Sequence, residues 1–212
     1  MSTAARLVER NTQTMNKFYT AFVDSNPSLM SSLYGPSATF TDPVFRGLKG
    51  KEPAAMWHML LLSKKKNKGG GPLPPPPSPP PPGSAPSRSY SVVSATSTTG
   101  VVRWEARYLA PGTSRPVHNV ITTTMTFDER TGLIVEQVDD FDLHKWCGMA
   151  LGCVGSLAGG TQFFQNVVRK KARKSLDKYI ASKPWLQGPI DDSWASGLET
   201  AAAAHTIEPT MH

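Results

Sequence analysis

The sequence predicts an α+β fold, with amino-terminal helices wrapped over one face of a curved antiparallel sheet. Three observations predict it. Helical spacing of apolar residues fills the first part of the chain, four β-rich segments joined by short turns occupy 89–141, and helical spacing returns only after them. At 212 residues the chain suits one domain with appendages rather than two.

Leu7, Val8, Met15, Phe18, Tyr19, Phe22 and Val23 recur by threes and fours, which predicts a long amphipathic helix over 3–24. Asn26-Pro27 reads as a cap followed by proline at the first helical position of a short second helix, with Gly35-Pro36 as its end. From Ala38 the residues become β-formers, with Ala38, Phe40 and Asp42 on one face and Thr39 and Thr41 on the other. A third helix is expected through Ala54, Trp57 and Leu61.

Strands are expected at 89–99, 101–109, 117–127 and 133–141, turning at Thr99-Gly100, Ala110-Pro111-Gly112 and 128–132. Short connections between consecutive strands imply an antiparallel meander. Asp142 is placed to cap a following helix, Gly152 to Gly160 should break it, and a last helix over 161–182 aligns Phe164, Val168, Ala172, Leu176 and Tyr179. The domain is therefore expected from 1–66 and 88–182. Between them, 67–87 reads as a disordered proline-rich insert, and 183–212 as a flexible tail.

The formal charge of +7 is local to two runs, Lys64 to Lys68 and Arg169 to Lys178, leaving a nearly neutral body. No strong nucleic-acid signal follows. The second run alternates with Val168, Ala172 and Leu176, so a solvated helix face competes there with binding to acidic membrane or nucleic acid. No stretch is long and apolar enough to span a bilayer and the amino end lacks a hydrophobic signal core, so a cytoplasmic location is expected. Cys147 and Cys153 match neither a redox pair nor a zinc half-site and are expected as free, buried thiols. The five histidines lack ligand spacing, so neither a metal nor another cofactor is expected. The PxxP patterns of the insert allow a weak contact with SH3 or WW modules, against an inert linker.

The order helix, helix, strand with Asp-Pro, helix and four-strand meander resembles the nuclear-transport-factor-2-like superfamily, especially its SnoaL-like members. FYTAFVDSNPSLMSSLY (18–34), ATFTDPVFRGLKG (38–50) and HNVITTTMTFDERTGLIVEQVDDFDLHKW (118–146) carry the resemblance. It implies a cone-shaped apolar pocket for a small hydrophobic molecule, a homodimer, and no fixed chemistry, since the superfamily holds isomerases, cyclases, hydrolases, dehydratases and inert binding proteins.

Within that resemblance, Asp42 matches the proton-shuttling aspartate of ketosteroid isomerases, and Tyr19 their oxyanion donor. Burial in an apolar cone would raise the pKa of Asp42 toward a useful range. The competing reading is an Asp-Pro turn whose carboxylate satisfies backbone amides. For Tyr19 it is a core tyrosine with a satisfied hydroxyl. The isomerases' second donor has no match, because Thr123 stands there.

His118 and Asp139 resemble the acid/base pair of SnoaL-like cyclases and could pair across the sheet, or form a structural hydrogen bond at the rim. Phe45, Trp57, Trp104, Thr123 and Phe141 are expected along the pocket wall or in the core. The residues thus fit an acid/base isomerase, cyclase or hydratase with Asp42 as base, or a non-catalytic ligand-binding or dimerisation module. Whether the chain is an enzyme stays open at this level.

Overall fold

A computed structural model describes residues 2–62, 87–110 and 113–186. The first lysine run, all of the proline-rich insert but Ser87, and the tail beyond Leu186 lie outside the described residues, as does the SH3/WW expectation resting on the insert.

Helix α1 (Thr3–Val23) starts at Ser2, whose hydroxyl accepts from the Ala5 amide, and buries Met15, Phe18, Tyr19 and Phe22 on one stripe. Helix α2 (Pro27–Ser32) begins as the sequence implies, with the Asn26 side chain accepting from the Leu29 amide at 3.0 Å. It ends earlier than expected. Gly35-Pro36 belongs instead to strand β1 (Tyr34–Thr41), where a register shift between Tyr34 and Thr39 spares Pro36 a ladder hydrogen bond it could not make.

Strand β2 (Leu48–Lys49) and helix α3 (Glu52–Leu62) follow, then strands β3 (Ser87–Ala95), β4 (Thr99–Leu109), β5 (Pro116–Phe127) and β6 (Ile134–Asp140). The β3–β4 turn is Thr96 to Thr98, not Thr99-Gly100, because the Thr96 hydroxyl accepts the Thr98 and Thr99 amides and closes the turn early. Gly100 then lies inside β4, where any Cβ would overlap the Met15 thioether of α1. The sheet order is β2-β1-β6-β5-β4-β3. Strands β3 to β6 form the antiparallel meander, and β1 joins β6 in parallel, pairing Tyr34 with Ile134 and Phe40 with Gln137.

Polar grips fasten α1 to both turns at one end of the sheet. Arg10 donates to the carbonyls of Asp128, Glu129 and Arg130, Thr14 to that of Gly132, and the Asn11 amide to those of Thr96 and Ser97. Asn11 is completely buried. Replacing it with Ala strands those two carbonyls, and a loss of about 1–3 kcal/mol is expected in urea unfolding.

After β6, the Asp142 carboxylate caps helix α4 (Leu143–Leu151), accepting from Lys145 at 2.9 Å. The expected break from Gly152 to Gly160 contains a further helix, α5 (Cys153–Ala158), entered through the positive φ of Gly152. A Cβ on Gly155 would collide with the Cys147 carbonyl oxygen. Gly155→Ala should therefore push α5 off α4 and cost about 1–3 kcal/mol, read as a lower Tm. Cys147 is buried as expected, but Cys153 is exposed, because it opens α5 on its outer side.

Helix α6 (Gln162–Ala181), capped by Thr161, turns Phe164, Val168, Ala172, Leu176 and Tyr179 inward, with Leu176 fully buried. Beyond it, Pro184–Leu186 form a tight turn whose Leu186 is buried and whose Trp185 ring lies 4.8 Å from that of His58. The first residues of the expected tail therefore pack on the domain.

Candidate functional site

Strand parity decides which side chains enter the cone. Thr123 of β5 stands opposite Asp139 of β6, Met125 opposite Gln137, and Gln137 opposite Phe40 of β1. All five are buried, at 4% exposure or less. The concave face thus carries three polar residues among apolar ones, and each must find partners there.

They find them in one another. Trp57 Nε1 donates to the Tyr34 hydroxyl at 2.9 Å. Since an indole N–H can only donate, the Tyr34 proton goes onward to Gln137 Oε1, at 2.5 Å. That fixes the Gln137 amide, and its Nε2 donates to Asp139 Oδ1 at 2.9 Å. From the other side, Tyr19 Oη and Trp104 Nε1 each donate to Thr123 Oγ1 at 2.8 Å. The Thr123 proton then goes to the same Asp139 Oδ1, at 2.7 Å.

Two donor chains therefore end on one carboxylate oxygen. Oδ1 has both lone-pair positions filled, while Oδ2 accepts no hydrogen bond from any described residue. A proton taken up by Asp139 sits on Oδ2. Burial pushes the Asp139 pKa from 3.8 to about 7; the Gln137 and Thr123 hydrogen bonds oppose that rise and the charge of Asp42 adds to it. Tyr19 and Tyr34 are raised well above the ordinary phenol value, chiefly by burial, and donate as neutral hydroxyls.

Asp42 lies just past β1, two residues beyond Phe40 as Asp139 lies two beyond Gln137, so the register carries the two carboxylates toward each other. The Asp-Pro turn is present. Asp42 Oδ1 accepts the Val44 amide at 2.6 Å and also the Phe45 amide. Burial nonetheless raises its pKa to about 6 against the pull of those two amides. Tyr108 is also raised, by burial foremost and further by the charge of Asp42, and its hydroxyl receives the Trp146 N–H at 2.7 Å.

Tyr19, Thr123 and Asp139 thus form one cluster with Asp42 beside it. His118 stands apart. It is five positions from Thr123 on the same strand, hence on the convex face, where it bonds Glu105 at 2.8 Å. The expected pairing of His118 with Asp139 across the sheet does not form, because parity puts the two on opposite faces. Glu105 is held below the usual carboxylate range by that His118 hydrogen bond.

Phe45, Trp57 and Trp104 are buried in the main core and Phe141 packs against it, partly exposed. Inside the cone Trp104 meets Phe22 at 4.8 Å and Trp57 at 6.3 Å between ring centroids, while Tyr19 stacks on Tyr90. Sequence reasoning missed Tyr34, read as lying at a helix end, and the Tyr108–Trp146 pair. Gln137 had a usable signal, an i, i+2 relation to Asp139 on β6. Among the described residues no cluster of His, Cys, Asp and Glu is arranged to hold a metal ion, and no helix is long and apolar enough to cross a membrane.

Two helices leading into a strand that ends at Asp-Pro, a third helix, and a four-strand meander curled over them make up the α+β cone. No family model matches the chain, and no curated protein matches it. Among solved structures it is similar to an LEH-like epoxide hydrolase of M. tuberculosis, at 12% identity over 73% of this chain and 98% of that one, with a TM-score of 0.47. It is also similar to a Catenulispora acidiphila protein of ketosteroid isomerase-like fold in complex with trimethylamine. There the identity is 13% over 65% of this chain and 91% of that one, with a TM-score of 0.47.

Proposed function

We propose that the protein is an acid/base catalyst of the isomerase, cyclase or hydratase kind, acting on a small apolar molecule at the Asp42–Asp139 end of the cone. The observation that carries this reading is Asp139: a buried carboxyl with one oxygen held by two donors, the other uncommitted, and a pKa of about 7. Such a group can give or take a proton near neutral pH. Asp42 ionises first, at about 6. In the proposed reaction it is the base that takes a proton from carbon or from water, while Asp139 delivers one from Oδ2 to the oxygen where charge develops. Tyr19 is a positioning residue, since its proton is committed to Thr123.

A panel of small apolar epoxides and β,γ-unsaturated ketones, followed by gas chromatography and ultraviolet absorbance, tests the reading. Turnover of at least one probe is expected, with a loss of about a hundred-fold or more in Asp139→Asn. Asparagine keeps an acceptor for Thr123 and Gln137, so the fold should survive. A folded Asp139→Asn that turns over at the wild-type rate would refute the role of this carboxyl.

One observation favours a second reading, a cone that binds without catalysis: the expected oxyanion donor, Tyr19, has no proton to spare. Thermal stabilisation by a probe that is never converted is the result that selects it. A homodimer formed through the convex sheet face, where Val120 and Val138 are exposed, accompanies either reading. Sedimentation velocity checks it, and a monomer at high micromolar concentration rejects it.

A further inference from the structure

The outer stripe of α6 is unlike any other surface of the described residues. Phe163, Val167, Lys170, Lys174 and Lys178 follow one another by fours and threes, so they share the side opposite buried Leu176, and Lys171 flanks them. Phe163 is 80% exposed and Val167 47%. Just upstream, α5 adds Leu157 at 86% and Val154 at 62%. Large apolar side chains this exposed, within a short length of chain, call for an occupant. A shallow recess between Phe163, Asn166, Val167, Arg169 and Lys170 lies on the same side.

The cations of α6 are sorted by type. Its two arginines face the protein: Arg169 donates to the Pro43 carbonyl and to Asn166 and Gln165, and Arg173 is bonded to Glu52 and Asp177. Their planar forks, suited to bidentate recognition of a phosphate or a base edge, are thus occupied. The lysines remain as mobile point charges on long apolar stems. The stripe's nearest acid, Asp177, is paired with Arg173 at 2.8 Å. Apolar side chains at one end and lysines along the rest match the acyl boundary and headgroup layer of an anionic bilayer.

We propose that this face of α6, from Phe163 to Lys178, docks the protein peripherally on anionic lipid membranes. Phe163 and Val167 enter the interface and Lys170, Lys171, Lys174 and Lys178 meet acidic headgroups. The helix lies on the surface and does not span it.

Flotation with vesicles of phosphatidylcholine alone, or of equal parts phosphatidylcholine and phosphatidylserine, tests the proposal on the full chain. The wild type should float with the anionic vesicles only, and less so as salt rises. The triple variant Lys170→Gln, Lys174→Gln, Lys178→Gln should bind them about a hundred-fold more weakly. Phe163→Ser with Val167→Ser should also lose most binding while leaving Tm nearly unchanged, because both side chains are solvent-exposed. Equal binding to neutral vesicles, no binding to either kind, or serine substitutions without effect would each overturn it. So would tighter binding to a DNA duplex than to the vesicles at the same salt.

Discussion

Thr123→Val is expected to lower the unfolding free energy by on the order of 3–6 kcal/mol. Valine fills the same volume but has no hydroxyl. Tyr19 and Trp104 would each keep a buried proton with nowhere to place it, and Asp139 Oδ1 would lose one of its two donors. Each stranded group costs about 1–3 kcal/mol. Thr123→Ser, which keeps the hydroxyl and loses a methyl, should cost about 1 kcal/mol. Equilibrium urea unfolding of the two variants separates loss of hydrogen bonding from loss of packing. If valine proves no worse than serine, the hub assigned to Thr123 is wrong.

The second large effect is on stability against pH. Asp139 titrates at about 7 in the folded state against an ordinary value of 3.8. Between those values the native protein holds a proton that the unfolded chain has released, so stability is full below pH 4 and falls as pH rises toward 7. Each tenfold difference in proton affinity between the folded and unfolded chain is worth about 1.4 kcal/mol, so the loss attributable to this group is ~4 kcal/mol. Asp42, raised to about 6, acts in the same direction over a narrower window. Asp139→Asn removes the larger contribution. Its stability should therefore exceed that of the wild type increasingly from pH 4 to 7, in urea midpoints measured across that range. Parallel profiles for the two proteins would show that Asp139 is not the buried titrating group.

Local pattern carried much of the fold. The stripe on α1, the Asn26-Pro27 start, the Asp142 cap and the inward face of α6 are set by residues within a few positions of one another. They are legible because helix geometry acts at that range. The parallel pairing of β1 with β6 joins segments a hundred residues apart and leaves no local trace. With it went Tyr34, whose place in the cone depends on that pairing. His118 shows the limit of alternation: without a known register, either face was open to it, and one position of parity decides between Asp139 and Glu105. Thr123 was legible as a residue of the pocket wall standing where an oxyanion acid would be, not as a hydrogen-bond hub. Its hydroxyl, joining two donors to one acceptor, becomes visible only when Trp104 and Tyr19 converge on it from different elements.

The same β1–β6 pairing bears on how the chain is made. Helix α1 can pack on β3 and β4 as these strands emerge, but strands β2 to β5 separate β1 from its partner β6 along the chain. Because β6 is the strand that β1 needs, that edge of β1 must wait, unpaired, through the synthesis of about a hundred further residues. The edge of β1 that faces β6 is thus open to off-pathway strand pairing throughout that interval.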